Sequence, residues 1–230
     1  MRDSRGFTLI EVSTVMVIVA LLVGGILFGR DLIRASELRA VTSEVQKIKS
    51  AVLIFKSQYN GLPADIPNAR SIWSQCIDDG INTCNGNHNG RLGMWEDLRA
   101  WQQLSLAGLM PGSYTGTASA PIRNPSINIM PSLIGGGYIL LDNSGDFSVT
   151  DFPHNRSNVL LTGDNDCGAY LGCGNMDSWM AQSIDRKVDD GLARSGEVKG
   201  AQDWDYLQCL TAGEYDLNIK DRGCKLGFFY

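Results

Sequence analysis

The sequence predicts an α+β protein in which one long N-terminal helix carries a head built on a small antiparallel sheet with disulfide-stapled loops. Three observations predict it: an uncharged run from Val12 to Gly29, an apolar helical stripe continuing to Phe55, and a change of composition after residue 58. All six cysteines, all seven prolines and 22 of the 26 glycines lie beyond that point. A stem therefore precedes a loop-rich head, and 230 residues suffice for one or two ordinary domains. The formal charge of −5 divides unequally, with 8 basic and 5 acidic side chains in residues 1–58 against 12 and 20 in residues 59–230. A head at −8 repels nucleic acid, so no nucleic-acid partner is expected.

Between Arg5 and Arg30 the only ionisable side chain is Glu11, which makes the stem's first half one membrane-length apolar helix. A cleavable secretory signal fits less well. Such a signal has an apolar core of about 7–15 residues and then a small-x-small site, whereas Gly24 to Arg30 offers bulky Ile26, Leu27 and Phe28. Further on, Leu38, Val41, Val45, Ile48, Val52 and Phe55 follow at spacings of 3, 4, 3, 4 and 3. No proline precedes Pro63, so one helix is expected from about Phe7 to Tyr59. The stripe lasts only about two and a half heptads, too short for a coiled-coil seam, so it should dock on the protein's own sheet. Gly24, Gly25 and Gly29 permit close helix approach, but glycine is common in membrane helices anyway.

The order Arg5-Gly6-Phe7-Thr8-Leu9-Ile10-Glu11 ahead of the apolar run resembles the processing site of type IV prepilins and type II secretion pseudopilins. That resemblance implies a leader of residues 1–6, cut between Gly6 and Phe7 by a membrane-embedded prepilin peptidase, with the new Phe7 amine methylated. It further implies a membrane-spanning and later filament-core segment over 7–29, the rest of the long helix over 30–59, and a periplasmic or extracellular head over 60–230. The acid four residues after Phe7 is carried over as Glu11. A carboxylate at the edge of the hydrocarbon costs a few kcal/mol unless it is paired. The Phe7 ammonium, on its own chain or a neighbour, is the expected partner, and methylation keeps its charge. The bland reading makes Glu11 a helix-start acid favoured by the macrodipole. Arg2 and Arg5 face Arg30, Arg34 and Arg39 across the span, so charge bias says little about topology and the cytoplasmic leader rests on the resemblance.

In the head, the prolines and glycine of Tyr59 to Ala69 end the long helix. Residues 94–109 read as a short helix with Trp95, Leu98, Trp101 and Leu104 or Leu106 on one face, aromatics better assigned to the core than to a ligand site. Tyr138 to Leu141, the turn Asp142 to Asp146 and Phe147 to Val149 suggest a hairpin, with Asn158 to Thr162 as a third strand. The triple glycine at 135–137 lacks a phosphate-loop lysine. Residues 176–190 read as another helix, and its end, Ile184-Asp185-Arg186-Lys187-Val188-Asp189-Asp190-Gly191 before Ser195-Gly196-Glu197-Val198, resembles the C-terminal part of a subset of prepilin-like proteins.

The cysteines Cys76, Cys84, Cys167, Cys173, Cys209 and Cys224 would all lie outside the cytoplasm, where three disulfides are expected. Fifteen pairings are open, and local spacing favours Cys76 with Cys84, Cys167 with Cys173 and Cys209 with Cys224. A zinc site is disfavoured because no Cys-x-x-Cys pair occurs and His88 and His154 stand alone. Asp185, Asp189 and Asp190 read as helix-end capping and local ion pairs. Structural calcium is the other use of such acids, as for 142–146 and 164–166, and no metal ligand is named. No cofactor is required, and no nucleophile elbow or acid pair suggests an enzyme. The expected function is a pseudopilin or minor pilin, partnered by prepilin peptidase, inner-membrane lipid and other pilin-like subunits. A pilus-tip adhesin and a bitopic anchored protein are the competing classes.

Overall fold

The computed structural model describes residues 8–76, 78, 83–93, 96–117, 123–142, 158–163, 173–202 and 208–230. The chain divides into two units, Met1–Arg39 and Ala40–Tyr230, with the division falling inside one helix. That helix, α1 (Leu9–Tyr59), is unbroken, as the absence of proline predicts. It stops where Asn60 takes φ +54°, the left-handed conformation that asparagine tolerates after a last helical turn.

In the second unit the predicted stripe is the buried face of α1: Val41, Val45, Ile48, Val52 and Phe55 are fully buried. Two side chains fix that face to the sheet. Tyr138 Oη donates to Glu44 Oε2 at 2.8 Å, and Lys49 Nζ donates to the Phe229 carbonyl at 3.1 Å. Burial lowers the Lys49 pKa, while Glu197, 3.9 Å away, and Asp189 oppose the shift. At the foot of α1, Phe55, Tyr59 and Trp73 form an aromatic cluster with centroid separations of 4.5–5.9 Å.

The sheet runs β1 (Met130–Pro131), β2 (Gly137–Asp142), β3 (Asn158–Gly163), β7 (Cys224–Phe229), β4 (Val198–Gln202) in spatial order, antiparallel throughout. Tyr138 opposes Thr162 and Leu140 opposes Leu160, so the expected third strand pairs directly with β2. The proposed hairpin partner Phe147 to Val149 lies outside the described residues. The sequence announced neither β1 and β4 of this sheet nor its C-terminal strand β7. It sits between β3 and β4 and is buried along its whole length. A second small ribbon joins β5 (Leu210–Thr211) to β6 (Glu214–Tyr215).

A four-residue turn of helix, α2 (Ala69–Ile72), follows α1. Helix α3 (Glu96–Leu106) buries Leu98, Trp101 and Leu104 as the periodicity predicts, with Leu104 rather than Leu106 in the core; Trp95 lies outside the described residues. Its polar side is buried too, with Ala64, Cys84 and Thr115 bonded to it. Gln103 accepts from Ala64 N at 2.6 Å and donates to Cys84 O at 3.0 Å, and Gln102 donates to Thr115 O at 2.8 Å. The 60–93 loop is also tied to itself, since buried Asp65 accepts from the amides of Asn89 and Gly90.

Of the three expected disulfides, Cys76–Cys84 and Cys209–Cys224 are formed, with Cα separations of 5.5 and 4.9 Å. Cys173 is disulfide-bonded, and its expected partner Cys167 lies outside the described residues. Beside the Cys209–Cys224 bond the chain crosses at van der Waals limits: a Cβ on Gly174 would meet Gly223 C at 2.2 Å and Cys224 N at 2.4 Å. Backbone cannot yield as a side-chain tip can. Gly174→Ala is therefore expected to destabilise the head by about 1–3 kcal/mol or more, read as a lowered Tm. An unchanged Tm would show that the crossing has room for a methyl group.

Candidate functional site

The candidate site is the N-terminal stretch of α1, and its geometry starts at Thr8. Thr8 N donates to Glu11 Oε2 at 2.8 Å, Thr8 Oγ1 donates to the same oxygen at 2.7 Å, and Glu11 N returns a bond to Thr8 Oγ1 at 3.3 Å. This reciprocal pattern is a capping box: threonine precedes the first turn, and the acid three residues on closes it. Thr8-Leu9-Ile10-Glu11 carries that signal in the sequence, yet Thr8 went unread beside Glu11. In this unit, then, the Glu11 carboxylate is held by its own chain. Gly6 and Phe7, the residues of the expected cut, lie outside the described residues.

From Leu9 to Ile33 every large apolar side chain of α1 is exposed, among them Leu9 at 89%, Leu21 at 71% and Phe28 at 68%. A helix apolar on all sides and covered by nothing suits hydrocarbon or neighbouring helices, not water. The two hydroxyls of the uncharged run, Ser13 and Thr14, donate to the Ile10 carbonyl at 2.9 and 3.0 Å, so they present no unsatisfied donor to an apolar surround. Among the described residues α1 holds the one segment long and apolar enough to cross a membrane.

The second predicted feature, the string from Ile184 to Val198, closes one corner of the head. Helix α4 (Ser178–Val188) starts on Asp177, whose side chain accepts from Met180 N at 2.7 Å. At its other end Asp185, fully buried, accepts from Gly191 N at 3.1 Å and from Tyr215 Oη at 2.9 Å. Asp189 accepts from the amides of Glu197 and Val198, and Asp190 from Leu192 N and Ser195 Oγ. Gly191 and Gly196 take φ of +78° and +69°, which side-chain-bearing residues resist. The three acids lie close, with one oxygen of each within 4.8 Å of the others. Each is already engaged by protein donors, the capping arrangement the sequence suggested, and none is assigned as a metal ligand.

Burial pushes the Asp185 carboxyl up to about 6, and Asp190 and Asp189 add to the rise; the bonds from Tyr215 and Gly191 oppose it. Exposed Asp190 is held below the usual carboxylate range by its bonds from Ser195 and Leu192. Tyr215 is raised far above the ordinary phenol by burial and by Asp185, so it stays neutral and donating. Sequence reasoning singled out the acids but missed Tyr215, which lies 30 residues downstream with no local pattern to mark it.

Comparison with known proteins agrees with the N-terminal reading. Residues 1–27 match the family model described as the prokaryotic N-terminal methylation motif. Among solved structures, the chain is similar to the major type IV pilin PilA1 from Clostridium difficile, at 15% identity and a TM-score of 0.36, over 86% of this chain and 96% of that one. No curated protein matches. Residues 1–27 thus carry a prokaryotic N-terminal methylation motif, the kind of segment that the resemblance to type IV prepilins implied.

Proposed function

We propose that this protein is a filament subunit, a pseudopilin or minor pilin, made as a membrane-anchored precursor. In this reading prepilin peptidase cuts between Gly6 and Phe7, the Phe7 amine is methylated, and the stem passes from inner-membrane lipid into a core of neighbouring stems. The head stays on the periplasmic or outer side and works by contact, without chemistry. The observation that carries the reading is the methylation motif over residues 1–27 running into a helix whose apolar side chains are uncovered as far as Ile33. An ordinary anchor explains the apolar length but not the Gly6-Phe7-Thr8-Leu9-Ile10-Glu11 string. The disulfides fit a head outside the cytoplasm.

Intact mass and N-terminal sequencing of protein from its native membrane test this directly. A chain beginning at methylated Phe7, gaining about six hydrogens on reduction of three disulfides, is the expected result. A chain beginning at Met1, or beyond Arg30, overturns the filament reading.

A further inference from the structure

Three Asn-Gly steps, Asn60-Gly61, Asn85-Gly86 and Asn89-Gly90, lie within one stretch of the head. Asparagine is chemically labile, and a following glycine leaves its side chain room to react with the next backbone amide. The fold holds two of the three shut. Asn85 Oδ1 accepts from Arg70 N at 2.9 Å, and Gly86 N donates to Ile66 O at 2.8 Å. Gly86 is also wedged against backbone, since a Cβ there would meet Ala64 O at 2.2 Å. Asn89 Oδ1 accepts from Arg91 N at 2.8 Å, and Gly90 N donates to the buried Asp65 carboxylate at 2.8 Å. In both, the glycine nitrogen that would attack is already committed as a donor.

Asn60-Gly61 differs at each point. Asn60 is exposed, takes the left-handed conformation that ends α1, and bonds through its side chain to none of the described residues. Gly61 is buried, yet its amide donates to no described group, and a buried N–H without an acceptor is rare in folded proteins. Beside it stands an imidazole. A Cβ on Gly61 would meet His88 Nδ1 at 3.4 Å and Cε1 at 3.5 Å, which puts that edge of the ring within reach of the Gly61 amide, directly or through one water. His88 is left-handed as well, with φ +58°, a conformation uncommon away from glycine. Its backbone is anchored by His88 N donating to Asp65 O at 2.9 Å, so the loop that Asp65 ties together also brings the histidine to this step.

We propose that Asn60-Gly61 is a self-modification site in which His88 is the general base. His88 Nδ1 takes the Gly61 amide proton as the Gly61 nitrogen attacks Asn60 Cγ. The N–Cγ bond forms, the Cγ–Nδ2 bond breaks, and the leaving nitrogen takes that proton and departs as ammonia, which leaves a cyclic imide. Water then opens the ring at either carbonyl, giving aspartate or isoaspartate at residue 60, and is the only co-reactant. The product carries a carboxylate at the C-terminal end of α1, where the macrodipole disfavours negative charge. Its isoaspartyl form also lengthens the backbone by a methylene. Modification thus weakens the turn from α1 into the 60–93 loop.

The test ages the full chain in detergent at neutral pH in heavy-oxygen water, so that only sites opened during the incubation take up label. After reduction and trypsin digestion, Asn60 is read in the peptide of residues 57–70, and Asn85 and Asn89 in that of residues 71–91, with fragmentation assigning the labelled residue. Label at Asn60 is expected to accumulate about tenfold or more faster than at Asn85 or Asn89. His88→Gly, which suits the left-handed backbone at that position, should slow it by about tenfold or more. Free imidazole should restore the rate in His88→Gly without changing that of the wild type, a response that a merely structural histidine would not give. Equal labelling at the three steps overturns the site. A His88→Gly rate that is unchanged or raised, or that imidazole fails to restore, overturns the role of the histidine. Should His88→Gly melt below the wild type, His88→Gln decides in its place, and a wild-type rate in that variant overturns the same role.

Discussion

Replacing Glu11 by alanine is expected to leave leader cleavage and head folding intact while reducing incorporation into a filament to a small fraction of wild type. The structure sharpens the reason for expecting this. Glu11 does two things a single substitution would confuse: it caps α1 through Thr8, and it carries a negative charge at the start of an apolar helix. Glutamine separates them, because its carbonyl oxygen closes a capping box as glutamate does, but it has no charge. If the carboxylate works by meeting the Phe7 ammonium, Glu11→Gln fails in assembly as fully as Glu11→Ala. If the cap alone matters, glutamine restores assembly and the ion-pair account falls. Losing this half of the capping box frays one exposed turn, which by itself should not abolish a filament. The readout is the ratio of sheared filament to membrane-bound subunit, with N-terminal sequencing of each variant to confirm the cut.

The same segment shows how much a sequence discloses when signals are local. The uncharged run, the stripe to Phe55 and the helix read over 176–190 are each written in contiguous residues, and each has its counterpart in α1 or α4, the last observed as Ser178–Val188. Even the acidic string could be read as capping, since Asx residues and glycines bond their own neighbours. What escaped was set by distance along the chain. Strand β7, Cys-Lys-Leu-Gly-Phe-Phe, has no alternation and includes Gly227. It is a strand because β3 and β4, far upstream, pair with its two edges. Likewise nothing near Gln103 says that its side chain will span Ala64 and Cys84. At the candidate site, Glu11 was legible because the motif names it, and Tyr215 was not because its partner lies on another element.

A last consequence concerns the polar side of α3, where the head holds a buried ion pair. Arg123 Nε donates to Asp97 Oδ2 at 2.7 Å and Arg123 Nη2 to Asp97 Oδ1 at 3.2 Å, with the side chains only 4% and 1% exposed. This two-bond geometry fixes Arg123 to the helix that contacts β2. Two opposing terms decide its energetics, the attraction of the pair and the cost of taking both ions from water, and they nearly cancel when the pair is intact. Removing one partner leaves the cost without the attraction. Asp97→Ala should thus destabilise the head by about 3–5 kcal/mol, the scale for stranding a buried charge. For a unit of this size that is a fall in Tm of roughly 6–20 °C. Asp97→Leu combined with Arg123→Met, which replaces both charges by apolar groups of similar reach, should recover most of the loss. If the double variant is no better than Asp97→Ala, then the pair serves as a specific fastener of the loop, and packing cannot substitute for it. If Asp97→Ala itself melts within about 1 kcal/mol of wild type, water reaches Arg123 and the pair is not sealed as the geometry implies.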